Sequence, residues 1–231
     1  MITFVLPIYN GAHLAERNLK RLCWFLTTQC VEGYEILLVN DGSTDNLEPV
    51  VSGLFCKNVR LIGYPKNKGK GYAIKYAANF VSGDIVVMMD ADLPTQIDLH
   101  VLYEILHNTR EDVIVIGSRY LSGALVKRKL SRFLLSKTYW LVLKILFPSL
   151  EIRDTDFGLK AFTQDNFIAL NKNVREERWS WDLELLLLAR RKGMKIKEVP
   201  VSWEEDEDST FGGFKGPLQQ FITTVQLRMR Y

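Results

Sequence analysis

Histidine and cysteine are scarce in this chain, with three of each among 231 residues. Cys23, Cys30 and Cys56 lack metal-ligand spacing, and their odd number fits free thiols in a reducing compartment. His13, His100 and His107 are scattered over helical patterns and are expected to be structural or exposed. A strong charge of one sign is also missing. Thirty Lys and Arg against 27 Asp and Glu leave a net charge of +3, too little to mark a nucleic-acid binder. No apolar run reaches the ~18 residues that a spanning helix needs. Ile2 to Leu6 is a short apolar run closed by Pro7, far from the core of a signal peptide. The expectation is a chain that does not cross a bilayer. With no internal repeat, linker or low-complexity tract, residues 1–231 read as a single domain.

What is present alternates. ITFVLP (2–7), YEILLVN (34–40), NVRLIGY (58–64), DIVVMMD (84–90) and DVIVIGS (112–118) are nearly continuous apolar runs, as in strands covered on both faces. Helical spacing fills 12–29, 45–56, 70–81 and 96–109. The order predicts an α/β fold, a mainly parallel sheet flanked by helices, with ligands beyond the carboxyl ends of its strands. The second half predicts an amphipathic stretch at 126–147, a motif-rich segment at 151–163 and an apolar helix at 181–191. A strand at 195–203, a polar loop at 204–216 and a closing helix follow.

The strand ends carry the candidate chemistry. Asp90 and Asp92 close the fourth strand as Asp-Ala-Asp, and alternation sends both to one side. Carboxylates so close repel unless a cation lies between them, and hard oxygen ligands suit Mg²⁺ or Mn²⁺. A solvated acidic turn is the plainer alternative. Asp41 ends the second strand in NDGSTD, a turn in which Ser43 or Thr44 is placed to cap the next helix and Asp41 to accept from a nucleobase. NKGKGYA (67–73) sets Gly69 and Gly71 around Lys70 where a helix begins, an arrangement suited to an anion. It lacks the spacing of a Walker P-loop.

In combination and in order, VLPIYNG, NDGSTD, NKGKGYA and DAD resemble the inverting, GT-A fold glycosyltransferases of family 2. GSR (117–119), IRDTDFGLKAF (152–162), ERWSWDLELLLLA (177–189) and VPVSWEE (199–205) resemble that family's polyprenyl-phosphate branch, nearest the dolichyl-phosphate β-glucosyltransferases. The resemblance implies a nucleotide-sugar-binding half (1–118) and an acceptor- and membrane-facing half (119–231). It implies that Pro7, Tyr9 and Asp41 meet base and ribose, that Asp90 and Asp92 hold the metal, and that Lys70 and Arg119 face phosphates. Arg132 and Ser136, one helical turn apart, are implied to hold an acceptor phosphate. Gly11, Asn40 and Pro94 depart from the family pattern; Pro94 stands where the mannosyltransferases carry a glutamine.

From Lys127 to Lys144 six cations and no acid are interleaved with leucines and aromatics, the pattern of a membrane-surface helix. A packed helix with a solvated basic face has the same pattern. A phosphate acceptor is already nucleophilic near neutral pH, because its second pKa is about 6. Asp154, Asp156 and Asp182 therefore read as orienting groups rather than obligatory bases. Trp179, Trp181 and Trp203 suit a sugar, a lipid or the core, and Glu184 a sugar or a loop. The function expected is transfer of a hexose, glucose from UDP-glucose first, with inversion to a polyprenyl or dolichyl phosphate. The protein would sit peripherally at the cytoplasmic face of a membrane. GDP-mannose as donor, a glycan hydroxyl as acceptor and a non-catalytic nucleotide-sugar binder are the alternatives; nucleic acid is not expected as a partner. The loop 204–216 is read either as a lid over the substrates or as a connector.

Overall fold

A strand covered on both faces presents side chains alternately to two cores, so every position must be apolar. Four of the five apolar runs do this, and the fifth (58–64) is the edge strand, half-buried and with Arg60 exposed. The structure, a computed structural model, describes residues 1–54, 56–91, 95–96, 98–127, 130–204 and 215–231; for 95, 96, 130–132, 134, 215 and 217 it describes the backbone alone. Residues 1–118 run β1 (Ile2–Ile8), α1 (Ala12–Thr28), β2 (Tyr34–Asp41), α2 (Leu47–Ser52), β3 (Val59–Tyr64), α3 (Lys70–Ala77) and β4 (Ile85–Met88), then β5 (Thr95–Gln96), α4 (Leu99–Asn108) and β6 (Val113–Ser118). After it come β7 (Leu125–Lys127), α5 (Leu130–Leu146), β8 (Lys160–Thr163), α6 (Gln164–Asn171), α7 (Trp181–Arg191), β9 (Lys195–Pro200), β10 (Ser202–Glu204) and α8 (Lys215–Arg230).

Seven strands form the main sheet in the order β3-β2-β1-β4-β8-β6-β9. All neighbours are parallel except β8, which runs antiparallel to both β4 and β6. A small second sheet, β5-β10-β7, lies apart from it. Val5, Leu37, Val39, Val86 and Met88 face a core shared with α3, α6 and α7. Phe4, Leu6, Ile36, Leu38 and Val87 face the opposite core, closed by α1 and α4. The expected mainly parallel, helix-flanked sheet is thus the observed one.

Several local expectations are corrected. The motif-rich segment 151–163 ends in a central strand, and α6 follows it directly, capped by the Thr163 hydroxyl. Neither Ser43 nor Thr44 caps α2. Ser43 Oγ instead accepts from the Asn10 amide at 3.0 Å, and Asp45 accepts from Ala12 at 2.8 Å, so the second turn caps α1. Asn40 accepts from the Ser43 amide at 2.7 Å and fixes the same turn. The three free thiols are corrected too: Cys23 on α1 and Cys56 after α2 form a disulfide, and only Cys30 is free. Packing of α1 against α2 brings the two cysteines together across 33 residues, a distance that leaves no motif in the sequence. All three histidines are exposed, as expected. Among the described residues no helix is long and apolar enough to cross a membrane.

Candidate active site

Because β1, β2 and β4 are parallel neighbours, their carboxyl ends and the loops beyond them share one edge of the sheet. Asp41 lies there, 3% exposed, at the end of β2. Its carboxylate accepts from the Tyr64 hydroxyl (2.8 Å), the Asn67 side chain (2.8 Å) and the amides of Lys68 (2.7 Å) and Gly69 (2.9 Å). A carboxylate has about four acceptor positions. Asp41 therefore shapes the glycine-rich turn with all of these positions engaged, and a base contact would have to share or displace one of the four donors. Pro7 is half-buried within β1 and Tyr9 is exposed just beyond it, on the same edge.

The glycines of that turn are required by what lies against them. Gly69 has φ +105°, and a Cβ on Gly71 would lie 2.7 Å from Trp181 Cβ and 2.9 Å from the Glu177 carbonyl carbon. The turn thus packs directly on the loop 175–180, and Tyr72 donates to the Glu177 carbonyl at 2.9 Å. Glu184 holds that loop from inside. Fully buried, it accepts from the amides of Arg175 and Glu176, from Arg230 and from the Tyr231 hydroxyl, all within 2.7–2.9 Å. Of the two roles open to Glu184, the geometry supplies the loop. Trp181 is core, its ring N–H bonded to Asn171 at 2.9 Å, whereas Trp179 is exposed.

At the centre runs a line of alternating charge. Lys70 Nζ lies 2.8 Å from Asp90 Oδ1 and 3.2 Å from Asp182 Oδ2. Asp182 Oδ1 in turn receives Lys160 Nζ at 2.6 Å, and Lys160, 0% exposed, also donates to the Phe157 carbonyl at 2.7 Å. Burial opposes the charge on Lys70, but Asp182 and Asp90 more than offset it and hold the ammonium above its ordinary range. Lys160 is absent from the residues singled out in the sequence. Its signal was there: a lysine amid Leu159, Ala161 and Phe162 in an apolar strand must have a buried anion.

Beside this line sits a second pair. Arg119 meets Asp154 with Nε and Nη2, each at 2.8 Å, while its own amide donates to the same carboxylate at 3.0 Å. The rings of Phe157 and Trp203 lie 5.2 and 5.4 Å from the guanidinium. Glu198 accepts from the amides of Arg153 and Asp154 and fixes the turn that carries the clamp. Asp156 accepts from Gln220 at 2.9 Å and from Thr155 at 3.2 Å. Burial, then the charges of Asp182 and Asp154, push its carboxyl up to about 6, against the pull of Lys160 and Arg119. Next to Gln220 a cavity of about 260 Å³ opens between the loop 175–180 and α8, lined by Arg175, Arg178, Trp179, Gln219, Gln220 and Thr223.

Lys70, Asp90, Asp182, Arg119, Asp154 and Asp156 are therefore gathered at one edge. Ser136, on α5, is engaged by the Tyr120 hydroxyl at 2.9 Å. Asp92, Pro94, the Arg132 side chain and residues 205–214 of the lid expectation lie outside the described residues. The chemistry around Asp90 fits a divalent cation. Its carboxylate is half-exposed at a strand end and already draws an ammonium to 2.8 Å, so the position selects for positive charge and offers hard oxygen. Among the described residues no group of three acids, histidines or cysteines is placed to hold a metal.

A mainly parallel sheet with a glycine-rich turn and a strand-end carboxylate on one edge is the arrangement of the GT-A fold. Glucosyl-3-phosphoglycerate synthase from Mycobacterium tuberculosis, solved with UDP, superposes with a TM-score of 0.72 over 99% of this chain and 79% of that one, at 20% identity. The same enzyme with Mn²⁺, UDP and glucosyl-3-phosphoglycerate gives 0.71, at 20% identity over 99% of this chain and 79% of that one. The chain belongs to glycosyl transferase family 2, whose sequence pattern it matches over residues 3–179. A dolichyl-phosphate beta-glucosyltransferase of Trichomonas vaginalis is 34% identical over 99% of this chain and 71% of that protein. One of Dictyostelium discoideum is 30% identical over 100% and 74%.

Proposed function

We propose that this protein transfers glucose from UDP-glucose, with inversion, to a dolichyl or other polyprenyl phosphate. The observation that carries the reading is that dolichyl-phosphate beta-glucosyltransferases match nearly the whole of this chain, together with a site in which Lys70 and Arg119 stand among carboxylates.

Lys70 supplies positive charge beside Asp90, and Asp182 aims it. Arg119, held rigid by Asp154 and by two rings, presents a fixed guanidinium to a second phosphate. Mg²⁺ or Mn²⁺, held by Asp90 and Asp92, would stabilise the charge that develops on the leaving diphosphate. The acceptor phosphate is a dianion near neutral pH and needs no protein base to attack the anomeric carbon. Asp154, Asp156 and Asp182 then serve as orienting groups, and Pro7, Tyr9 and Asp41 frame the base and ribose. Arg132 and Ser136 are proposed to receive the acceptor phosphate.

The reading puts the protein peripherally at the cytoplasmic face of a membrane, with α5 and α8 toward the lipid. Leu135, Leu141 and Ile145 of α5 are exposed beside Leu218, Phe221, Ile222 and Met229 of α8, and a Tyr139–Thr224 hydrogen bond of 2.9 Å joins the helices. Lys137 and Lys144 lie on the same element. Apolar side chains bracketed by cations suit an anionic bilayer surface.

Side-by-side acceptors test the proposal. With UDP-glucose as donor, polyprenyl phosphate should be glucosylated while the dephosphorylated polyprenol and a soluble glycan are not. Transfer to the glycan alone would replace lipid phosphate by a hydroxyl acceptor.

A further inference from the structure

In the line Lys160–Asp182–Lys70–Asp90 two ammonium groups meet two carboxylates, so the chain balances its own charge there. Asp182 bridges the two ammonium groups, and Lys70 bridges the two carboxylates, 2.8 Å from Asp90 and 3.2 Å from Asp182. The far end of the line is fixed. Lys160 is buried and tied to the Phe157 carbonyl, and it holds Asp182 at 2.6 Å. The near end is half-exposed, at the carboxylate proposed to take a metal. One flank of that carboxylate is closed by Gly158, where an added Cβ would collide with it.

A divalent ion and an ammonium cannot share Asp90 cheaply, because like charges a few ångströms apart repel. A diphosphate changes that balance by offering Lys70 a new anion and by bringing negative charge to offset the ion. We propose that Lys70 is a resident cation for Asp90 that gives up this carboxylate when diphosphate and metal arrive together, with Asp182 and Lys160 as positioning residues that steady Lys70 as it turns to the diphosphate. Metal and nucleotide affinities are then coupled through one lysine. The free protein resists bare metal, and each ligand tightens the other. This deepens the nucleotide-sugar reading of the same site and rests on it.

The test is Mn²⁺ binding followed by electron paramagnetic resonance, with and without UDP, in the absence of sugar donor and acceptor. The ratio of the two affinities is read after correction for Mn²⁺ held by free UDP. In Lys70→Met the affinity for bare Mn²⁺ should rise about tenfold, and the enhancement by UDP should largely disappear. In Asp182→Asn Lys70 loses the carboxylate that steadies it, so the UDP enhancement should shrink in protein shown by circular dichroism to be folded, since Lys160 loses its anion too; an unchanged enhancement removes Asp182 from the positioning role. Lys70→Met leaves Asp182 its bond to Lys160; if it does not fold, Lys70→Gln is measured for the same sign. Simple loss of a charge would shift both affinities alike and leave the ratio unchanged. An unchanged ratio in the folded Lys70 variant, or a larger one, overturns the proposal. Because no acceptor is present, that failure leaves transfer to lipid phosphate untouched. Failure of lipid transfer would leave the Mn²⁺ ratios to stand alone.

Discussion

Replacing Asp156 by asparagine should make the protein more stable at neutral pH and less active. The carboxyl is pushed from 3.8 to about 6 by burial and by Asp182 and Asp154. Between about pH 4 and pH 6 the folded state therefore binds more proton than the unfolded chain, and stability falls as pH rises through that window. Two units at ~1.4 kcal/mol each give a penalty of about 3 kcal/mol, fully present above pH 7 and absent below pH 4. Asparagine keeps one oxygen for Gln220 and a donor for Thr155 by rotating its amide, so the two contacts of the wild-type side chain survive. Urea melts of both proteins from pH 4 to pH 8 give the difference directly, with all other titrations common to both. The variant should match the wild type near pH 4 and exceed it by about 2–3 kcal/mol at pH 7.5. A difference that stays flat with pH, or a variant less stable at pH 7.5, would refute the account of this group. A carboxylate kept at such a cost points to a role in the site, and a lower kcat/KM in the stabler variant is the expected companion.

Other consequences follow from single contacts. Gly71→Ala would drive a methyl into Trp181 and the Glu177 carbonyl carbon; thermal melts should show about 1–3 kcal/mol lost and a weakened affinity for UDP. Arg119→Lys cannot reproduce the two-pronged bond to Asp154, and kcat/KM should fall roughly tenfold to a hundredfold with the fold retained by circular dichroism. Vesicle flotation should show binding that grows with anionic lipid and fades with salt, and Lys137→Ala should weaken it about fivefold, the worth of one surface cation. Binding indifferent to both salt and lipid charge would leave only apolar insertion through α5 and α8.

The sheet was legible because burial on both faces leaves a strand no choice but apolar residues, as in Ile36 to Val39. The sequence was silent on β8, since it is short and carries Lys160, whose partner Asp182 is 22 residues away. Caps were misassigned for a related reason. Asp45 and Ser43 serve the neighbouring loop at Asn10 to Ala12, a contact made only once β1 and β2 pair. The disulfide between Cys23 and Cys56 likewise depends on helix packing and has no local signature. The candidate site was read by residue type at Asp41, Lys70, Asp90, Arg119 and Asp182. Their partners were hidden: the four donors on Asp41 and the alternation of charge from Lys160 to Asp90 exist only in three dimensions.

The central claim is transfer of glucose to a lipid phosphate. Purified protein in vesicles holding polyprenyl phosphate, given radiolabelled UDP-glucose or GDP-mannose with Mg²⁺ or Mn²⁺, and extracted into organic solvent, tests it most directly. The account predicts label in the lipid phase from UDP-glucose, dependent on the metal and lost when the lipid carries no phosphate; no lipid-phase label from UDP-glucose under any of these conditions would contradict it.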